Sequence, residues 1–125
     1  MSDNNQASRL PPQSIEAEKA VLGCMLINPE SPSKVFHVLT SKSFYNSSHS
    51  YIFSAMETLF EKDQTIDTIT ITEQLKKNKK LEAIGGAYYI TGLSSEAPSA
   101  SNVDYYVKIV KEKEVLRSII QSAVQ

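Results

Sequence analysis

The sequence has little of what exported, disulfide-linked or membrane proteins contain. Cys24 is the one cysteine among 125 residues, so no internal disulfide can form, and this usage is typical of a reducing compartment. No segment approaches about 18 consecutive apolar residues, which argues against a membrane span. The first nine residues lack an apolar run, so we expect residues 1–10 to form a disordered leader and not a signal peptide. These absences predict a cytoplasmic protein with no membrane partner.

An excess of charge of one sign is also absent. The 13 basic and 14 acidic residues give a net charge of -1, which provides no general attraction to nucleic acid or to anionic lipid. A composition of 41% hydrophobic and 22% charged residues is that of a globular protein, and a chain of 125 residues fits one domain. That length leaves no room for a nucleotide-driven motor in addition.

Catalytic, cofactor and metal motifs are missing as well. Cys24 has no companion ligands at the spacing of a metal site, and Gly85-Gly86 lacks the lysine and the spacing of a phosphate-binding loop. His49 stands within a serine-rich stretch, 47–50, but a serine nucleophile also needs an oriented base and an oxyanion site. A small hydrolase around His49 is therefore the least favoured of three functions, and the sequence predicts no catalytic, cofactor or metal residue.

Apolar residues at helical spacing are abundant, so we predict an all-α fold: a compact globule of about five helices plus a long C-terminal helix. The first helix begins after a cap at Ser14 and ends at Asn28-Pro29. A short second helix opens at Pro32, and a central core helix follows a Ser47-Ser48 cap. The residues expected to face inward are Val21, Leu22, Met25 and Leu26, then Val35, Phe36, Val38 and Leu39, then Ile52, Ala55, Met56, Leu59 and Phe60.

The stretch 66–72 alternates like a strand, yet no partner strand is evident and a lone strand is unstable in water. We therefore predict that a fourth helix begins here, with Asp67 as its cap. At Gly85-Gly86 the chain should break, with at least one glycine at positive φ. A short fifth helix is then predicted to carry Ala87, Tyr89, Ile90 and Leu93.

These elements assign residues 11–100 to a helical globule and residues 101–125 to an arm formed by the last helix. Asn102 is the predicted cap, and about 24 helical residues would span about 36 Å, which is longer than a domain of this size covers. Part of the apolar stripe should therefore project and pair with a following helix or with a second subunit. No breaker precedes Gln125, so we expect that the chain was cut from a longer one. The residues assigned to self-association are Tyr106, Ile109, Val110, Leu116 and Ile120.

A basic cluster lies at the end of the predicted fourth helix and consists of Lys76, Lys77, Lys79 and Lys80. Lysines suit the negative end of a helix dipole, so a solvated helix end is the favoured interpretation. The alternative is a free-standing helical module that binds nucleic acid through these lysines, and such binding would weaken with salt.

Several motifs follow one another in an informative order. They are Ile15-Glu16-Ala17-Glu18 with Val21-Leu22-Gly23, Phe44-Tyr45, His49 with Ile52-Phe53 and Ala55-Met56, Ile66-Asp67, Gly85-Gly86 with Tyr89, and Asn102 with Tyr105-Tyr106 and Ile109-Val110. In this order they resemble the amino-terminal domain of the bacterial replicative DNA helicase, the DnaB family, over nearly the whole chain. Ser41-Lys42-Ser43 departs from the family pattern, which more often has proline and acids there, and so does Cys24-Met25, where small or aliphatic residues are usual.

The resemblance implies an all-helical globule followed by a helical hairpin, of which this chain would contain the first arm. Family members pair through these hairpins into dimers, and a trimer of dimers forms a collar on the hexameric helicase ring. The implied partners are a second copy of the chain, the carboxy-terminal helicase-binding domain of primase, and single-stranded DNA through the full hexamer. ATP and Mg²⁺ would be cofactors of the full-length parent, which unwinds DNA in the 5'-to-3' direction, and no residue here is assigned to that ATPase.

Overall fold

The computed structural model describes residues 10–124, and within them every regular element is helical. The α-helices are α1 (Ile15–Ile27), α2 (Ser31–Phe36), α3 (Ser47–Glu61), α4 (Thr68–Lys77), α5 (Gly86–Ser95) and α6 (Val103–Val124). Short 3-10 helices, Ser41–Ser43 and Ala100–Asn102, lie before α3 and α6. The predicted all-α class is thereby confirmed. The predicted leader lies outside the described residues except for Leu10, which is exposed.

Helix α1 forms the centre of the globule and packs against α2, α3, α5 and α6. The predicted cap is present, since the Ser14 side chain accepts a hydrogen bond from the backbone N–H of Ala17 at 3.2 Å. The helix ends as expected at Asn28. The sequence predicted one apolar face, but nearly every side chain from Ala17 to Leu26 is buried, because neighbouring helices cover α1 on several sides.

Of the N-terminal caps predicted for α3 and α4, one is confirmed and one is wrong. Asp67 accepts a hydrogen bond from the N–H of Thr70, and the Thr70 hydroxyl accepts one from the N–H of Asp67, so the predicted cap is confirmed. For α3 the predicted Ser47-Ser48 cap is wrong. Asn46 caps this helix instead, because its side chain reaches the N–H groups of Ser48 and His49.

Two residues predicted to face inward are exposed. Val38 is 43% exposed because α2 ends at Phe36, so helical periodicity no longer places this side chain. Phe60 is 44% exposed in the last turn of α3, where its ring rests on Phe36 with the ring centroids 4.8 Å apart. The adjacent Leu59 is buried, as predicted, so Leu59 and not Phe60 is the core residue at this end of α3.

The break at Gly85-Gly86 is confirmed, because both glycines adopt positive φ, +105° and +78°. Residues that carry a side chain rarely adopt such φ values, whereas glycine does so without a steric penalty. In α5 the side chains of Ile90 and Leu93 enter the core. Asn102, the predicted cap of α6, instead ends the 3-10 helix that runs directly into α6. None of the helices within residues 10–124 has the length and hydropathy needed to cross a bilayer.

Candidate protein-protein interface

Helix α6 changes character along its length. In its first half Val103, Val107 and Val110 are buried in the core, and Tyr106 and Ile109 pack against that core in part. After Val110 no side chain among residues 111–123 is buried. The first half therefore belongs to the globule, while the second half is free to contact something else.

The second half of α6 exposes four large apolar side chains. The exposed fractions are 45% for Val115, 45% for Leu116, 58% for Ile119 and 49% for Ile120. Residues separated by four positions on a helix are neighbours, so these side chains form one continuous strip, which we call the arm stripe. Contiguous exposed apolar surface of this kind marks interaction sites on proteins that are otherwise well packed.

An open groove of about 680 Å³ begins where the arm stripe meets the globule. Its apolar lining comes from Val38, Val107, Val115 and Leu116, and its charged lining from Asp104, Lys108, Lys111 and Glu112. The unexpected exposure of Val38 thus extends the apolar surface of α6 onto the globule. Apolar surface beside charges of both signs is the usual composition of a protein-protein interface.

The five residues assigned to self-association differ in their exposure to solvent. Leu116 and Ile120 lie on the arm stripe, whereas Tyr106 and Ile109 are half-buried against the core. Val110 is 2% exposed and packs inside the globule, so its side chain offers no free surface. The assigned set omitted Val115 and Ile119. Val115 and Ile119 are four positions apart and each directly precedes an assigned residue, and this spacing was the signal that could have identified them.

Polar contacts attach the second half of α6 to the turn before α3. Ser43 donates its hydroxyl to Oε1 of Glu114 at 2.7 Å, and the guanidinium of Arg117 donates to the carbonyls of Pro12 and Ser43 at 2.7 and 2.9 Å. The same guanidinium lies 5.8 Å from the ring centre of Tyr45. Ser43 therefore contacts α6 through both its side chain and its backbone carbonyl.

Two lysines of the basic cluster have partners within the protein. Lys76 pairs with Glu73 at 3.2 Å, and the ammonium of Lys80 lies 4.4 Å from the ring centre of Tyr51. Lys76 and Lys77 occupy the last turn of α4, and Lys79 follows it at φ +59°. Partners on the protein itself thus engage two of the four lysines, which fits a solvated helix end.

A buried polar network was missed by sequence reasoning. Oε1 of Glu18 lies 2.8 Å from Nδ1 of His49, and Nε2 of His49 lies 2.6 Å from the hydroxyl of Tyr89. Both oxygens of Glu18 also accept backbone N–H groups, from Tyr45 at 2.7 Å and Asn46 at 3.3 Å. The only available signal was that all three residues lie within the family-like motifs.

The network does not support the hydrolase alternative. The side chain of His49 is 0% exposed, and both of its ring nitrogens are engaged by Glu18 and Tyr89. The nearby hydroxyl of Ser50 is directed elsewhere, to the carbonyl of Ser41 at 2.9 Å. Among residues 10–124, no group of three or more His, Cys, Asp or Glu side chains is placed to hold a metal ion.

Burial changes the acidity of three groups. It raises the pKa of Tyr89, and the negative charges of Glu18, Glu16 and Glu96 raise it further. Burial also raises the pKa of the Cys24 thiol, which donates to the carbonyl of Pro98 at 3.6 Å and so behaves as a packing residue. The pKa of Glu57 is raised by burial and then by Glu61, its neighbour one turn away.

Comparison with known proteins places these features in context. Residues 10–112 match the family described as DnaB-like helicase N terminal domain. Similar curated relatives include the replicative DNA helicase DnaC of Bacillus subtilis (strain 168), 42% identical over 115 residues, and the replicative DNA helicase DnaB of Geobacillus stearothermophilus, 41% identical over 117 residues. These alignments cover 92% and 94% of this chain but 25% and 26% of the relatives. The chain thus spans about a quarter of the length of the relatives it matches.

Solved structures agree with the sequence comparison. The N-terminal domain of DnaB helicase from Mycobacterium tuberculosis gives a TM-score of 0.88 at 34% identity, over 92% of this chain and 83% of that one. A DnaB-like replicative helicase, described together with its interactions with primase, gives a TM-score of 0.80 at 30% identity. That match covers 90% of this chain and 26% of the helicase. The fold is therefore shared with these proteins over 90% or more of this chain.

Proposed function

The chain belongs to the DnaB-like helicase N-terminal domain family, and from this premise we propose that it serves subunit self-association and primase recruitment in a hexameric replicative DNA helicase. In this proposal residues 11–100 form the globule and residues 101–125 the first arm of the dimerisation hairpin. Dimers joined through these arms assemble as a trimer of dimers into the collar of the hexamer. The setting is DNA replication in the cytoplasm.

The arm stripe is the observation that carries the proposal. Val115, Leu116, Ile119 and Ile120 are each 45% to 58% exposed, on a helix whose earlier valines are buried. Fully burying an exposed side chain of this size contributes about 1.5 to 3 kcal/mol, so covering the exposed half of each of these contributes roughly half as much. A helix from a second copy, or from a following segment of the same chain, supplies an apolar surface of the required shape.

Primase recruitment is supported by the structural neighbour that was described with its interactions with primase. This chain shares the fold of that helicase over 90% of its length. We propose the carboxy-terminal helicase-binding domain of primase as the partner, contacted by the collar that the globules form. The mixed charges around the groove would favour a specific partner over general adhesion.

Unwinding itself is assigned to the rest of the parent protein. The relatives named as replicative DNA helicases are about four times longer than their matched segments. The residues of this chain do not fit a nucleotide, because Gly85-Gly86 lead into α5 without a phosphate-binding lysine at the required spacing. ATP, Mg²⁺ and single-stranded DNA are therefore proposed for the full hexamer, and no step of hydrolysis is placed here.

Light-scattering mass tests the proposal directly. The purified chain would be measured over a concentration series, with and without the carboxy-terminal domain of the cognate primase. We expect a monomer-dimer equilibrium that shifts to heavier species when primase is added. A chain that stays monomeric and ignores primase at the highest concentration would contradict both proposed roles.

A further inference from the structure

The turn between α2 and α3 is fixed to the core from two sides. We call residues 41–46 the joint loop. Glu18 of α1 accepts the backbone N–H groups of Tyr45 and Asn46 at 2.7 and 3.3 Å. The hydroxyl of Ser50 in α3 donates to the carbonyl of Ser41 at 2.9 Å. Because Glu18 is buried, the position of the joint loop is set by the interior of the globule.

Helix α6 contacts this loop through two charged side chains. Oε1 of Glu114 accepts the hydroxyl proton of Ser43 at 2.7 Å, while Ser43 Oγ accepts the backbone N–H of Thr40 at 3.0 Å. Arg117 donates from Nη2 to the carbonyl of Ser43 and from Nη1 to that of Pro12. The guanidinium thus binds two chain segments that are separated by about 30 residues and joins both to α6.

These contacts lie where apolar packing no longer holds the helix. The last buried residue of α6 is Val110, and Arg117 lies about 10 Å farther along the helix axis. All residues from 111 to 123 are half-buried or exposed. The direction of the arm stripe relative to the globule therefore depends on the bonds made by Glu114 and Arg117. A helix end with few tertiary contacts opens locally at a low free-energy cost, so an unattached arm would fray and lose its fixed direction.

We propose that Glu114 and Arg117 are positioning residues that hold the second half of α6 in one direction against the joint loop. The part that concerns self-association rests on the proposed function, since it states how the arm stripe is presented to a second copy. A stripe held in one direction is already competent to pair, whereas a mobile one pairs only in the fraction of molecules that have the correct geometry.

Arginine is required by this geometry for a specific reason. Its planar guanidinium directs two donors toward two carbonyls at once and presents a face to the Tyr45 ring, which a lysine ammonium cannot do. The Arg117→Met variant keeps an apolar stem of similar length but loses both hydrogen bonds. Glu114→Gln keeps an oxygen acceptor for Ser43, whereas Glu114→Ala removes it.

Distances between spin labels on the arm and the globule test the proposal. Labelled cysteines would replace Ser122 near the end of α6 and Ser33 in α2, both of which are exposed, in a Cys24→Ala background. Labelled chain would be diluted into unlabelled chain so that only distances within one molecule are measured. The control Lys113→Met removes a positive charge from α6 without touching these contacts. Circular dichroism would establish that each variant remains helical.

We expect one narrow distance distribution for the parent chain, Lys113→Met and Glu114→Gln. Arg117→Met and Glu114→Ala should give broader distributions with a shifted mean. Both substitutions at Glu114 remove its negative charge, but only glutamine keeps an acceptor for the Ser43 hydroxyl. A narrow distribution for Glu114→Gln beside a broad one for Glu114→Ala would therefore show that the hydrogen bond positions the helix. Distributions for Arg117→Met and Glu114→Ala as narrow as that of the parent chain would overturn the proposal.

Self-association provides a second readout. Arg117→Met leaves the arm stripe intact, yet we expect its dimer dissociation constant to rise about tenfold because fewer arms have the pairing geometry. An unchanged constant would contradict the proposed link to pairing. If the parent chain fails to associate while the label distances behave as expected, the positioning role stands and the proposed function fails.

Discussion

The carboxylate of Glu18 and the imidazole of His49 lie 2.8 Å apart in the interior of the globule, on helices α1 and α3. With Glu18 as the acceptor, Nδ1 of His49 carries the proton, and in the neutral ring Nε2 accepts a hydrogen bond from the Tyr89 hydroxyl. Three helices are thereby connected by polar groups within an apolar core. Buried polar groups that are fully bonded fix a unique arrangement of the elements that carry them.

Replacing Glu18 by alanine should destabilise the fold. The change leaves the buried ring of His49 without its acceptor and removes the acceptor of the part-buried N–H groups of Tyr45 and Asn46. A buried group left unbonded costs about 1 to 3 kcal/mol, so His49 alone should lower the free energy of unfolding by about that amount, and the two part-buried N–H groups should add to the loss. Urea denaturation followed by circular dichroism measures this loss.

Glu16→Ala is the matched control for Glu18→Ala. Glu16 lies in the same first turn of α1 and is exposed. Its replacement should change the free energy of unfolding by less than about 1 kcal/mol, the usual size of a helix-dipole contribution. If both substitutions lowered the free energy of unfolding equally, the hydrogen bonds of Glu18 would contribute nothing beyond the interaction of an acidic residue with the helix dipole.

Tyr89 should make stability depend on alkaline pH. Burial, and then the charges of Glu18, Glu16 and Glu96, raise its pKa in the folded state above the ordinary value of 10.0. The folded protein therefore keeps this proton at a pH where the unfolded chain has lost it. The stabilisation is fully present below the unfolded pKa and is lost as pH rises through the folded pKa.

Tyr89→Phe should be less stable than the parent chain at neutral pH, because Nε2 of His49 loses its partner. The difference in unfolding free energy should shrink as the pH rises above about 10, the pKa of tyrosine in the unfolded chain, and through the raised pKa of Tyr89 in the folded state. Chemical denaturation at several pH values gives this difference. Tyr88→Phe, at a side chain that is 90% exposed, is the control and should follow the parent chain throughout. A constant difference for Tyr89→Phe would contradict the predicted linkage.

Local signals in the sequence were sufficient for most of the fold. The caps at Ser14 and Asp67 and the break at Gly85-Gly86 depend on residues a few positions apart, and all three are present. The partners of His49 lie 31 and 40 residues away along the chain. Helical periodicity does not predict contacts between residues so far apart in the sequence, so the network could be identified only from the structure. Val38 and Phe60 were predicted to be buried but are exposed, because periodicity does not report where the helix that carries a residue leaves the core or ends.

The long C-terminal helix could be predicted from the sequence, but the exposure of its individual residues could not. The length and apolar stripe of α6 indicated a projecting arm, and the exposed second half fits that expectation. Val110 and Leu116 both carry apolar side chains on the same helix, and only the packing of the globule shows that one is buried and the other is not. The position at which α6 leaves the core depends on tertiary contacts, which the stripe itself does not encode.

Aspartate at Leu116 and Ile120 should weaken self-association while leaving the globule folded. Both side chains are close to half exposed, so a charge there costs little in the monomer. In a dimer the same charges would be desolvated in an apolar interface, and we expect the dissociation constant to rise at least about a hundredfold. Sedimentation or light scattering over a concentration series measures this change, and circular dichroism reports on the fold.

Ile69→Asp is the control for the arm substitutions. Ile69 is 73% exposed on α4, so this variant introduces the same charge at an exposed isoleucine outside the arm stripe. It should associate like the parent chain. Loss of helicity in Leu116→Asp and Ile120→Asp, or equal weakening by Ile69→Asp, would count against the arm stripe as the self-association surface.

Two helical glycines should respond in opposite ways to alanine. At Gly23 in α1 a Cβ atom would lie 2.4 Å from the carbonyl oxygen of Leu93 and 2.8 Å from Cβ of Ala97, so α1 and its neighbour would have to separate. Such overpacking costs about 1 to 3 kcal/mol, which exceeds the roughly 0.5 to 1 kcal/mol that alanine contributes through helix propensity. At Gly92 in α5 a Cβ atom meets nothing within 4 Å, so only the favourable effect of alanine on helix propensity remains. Urea midpoints should therefore fall for Gly23→Ala and rise for Gly92→Ala, and a rise for both would show that α1 and the chain after α5 are not in close contact.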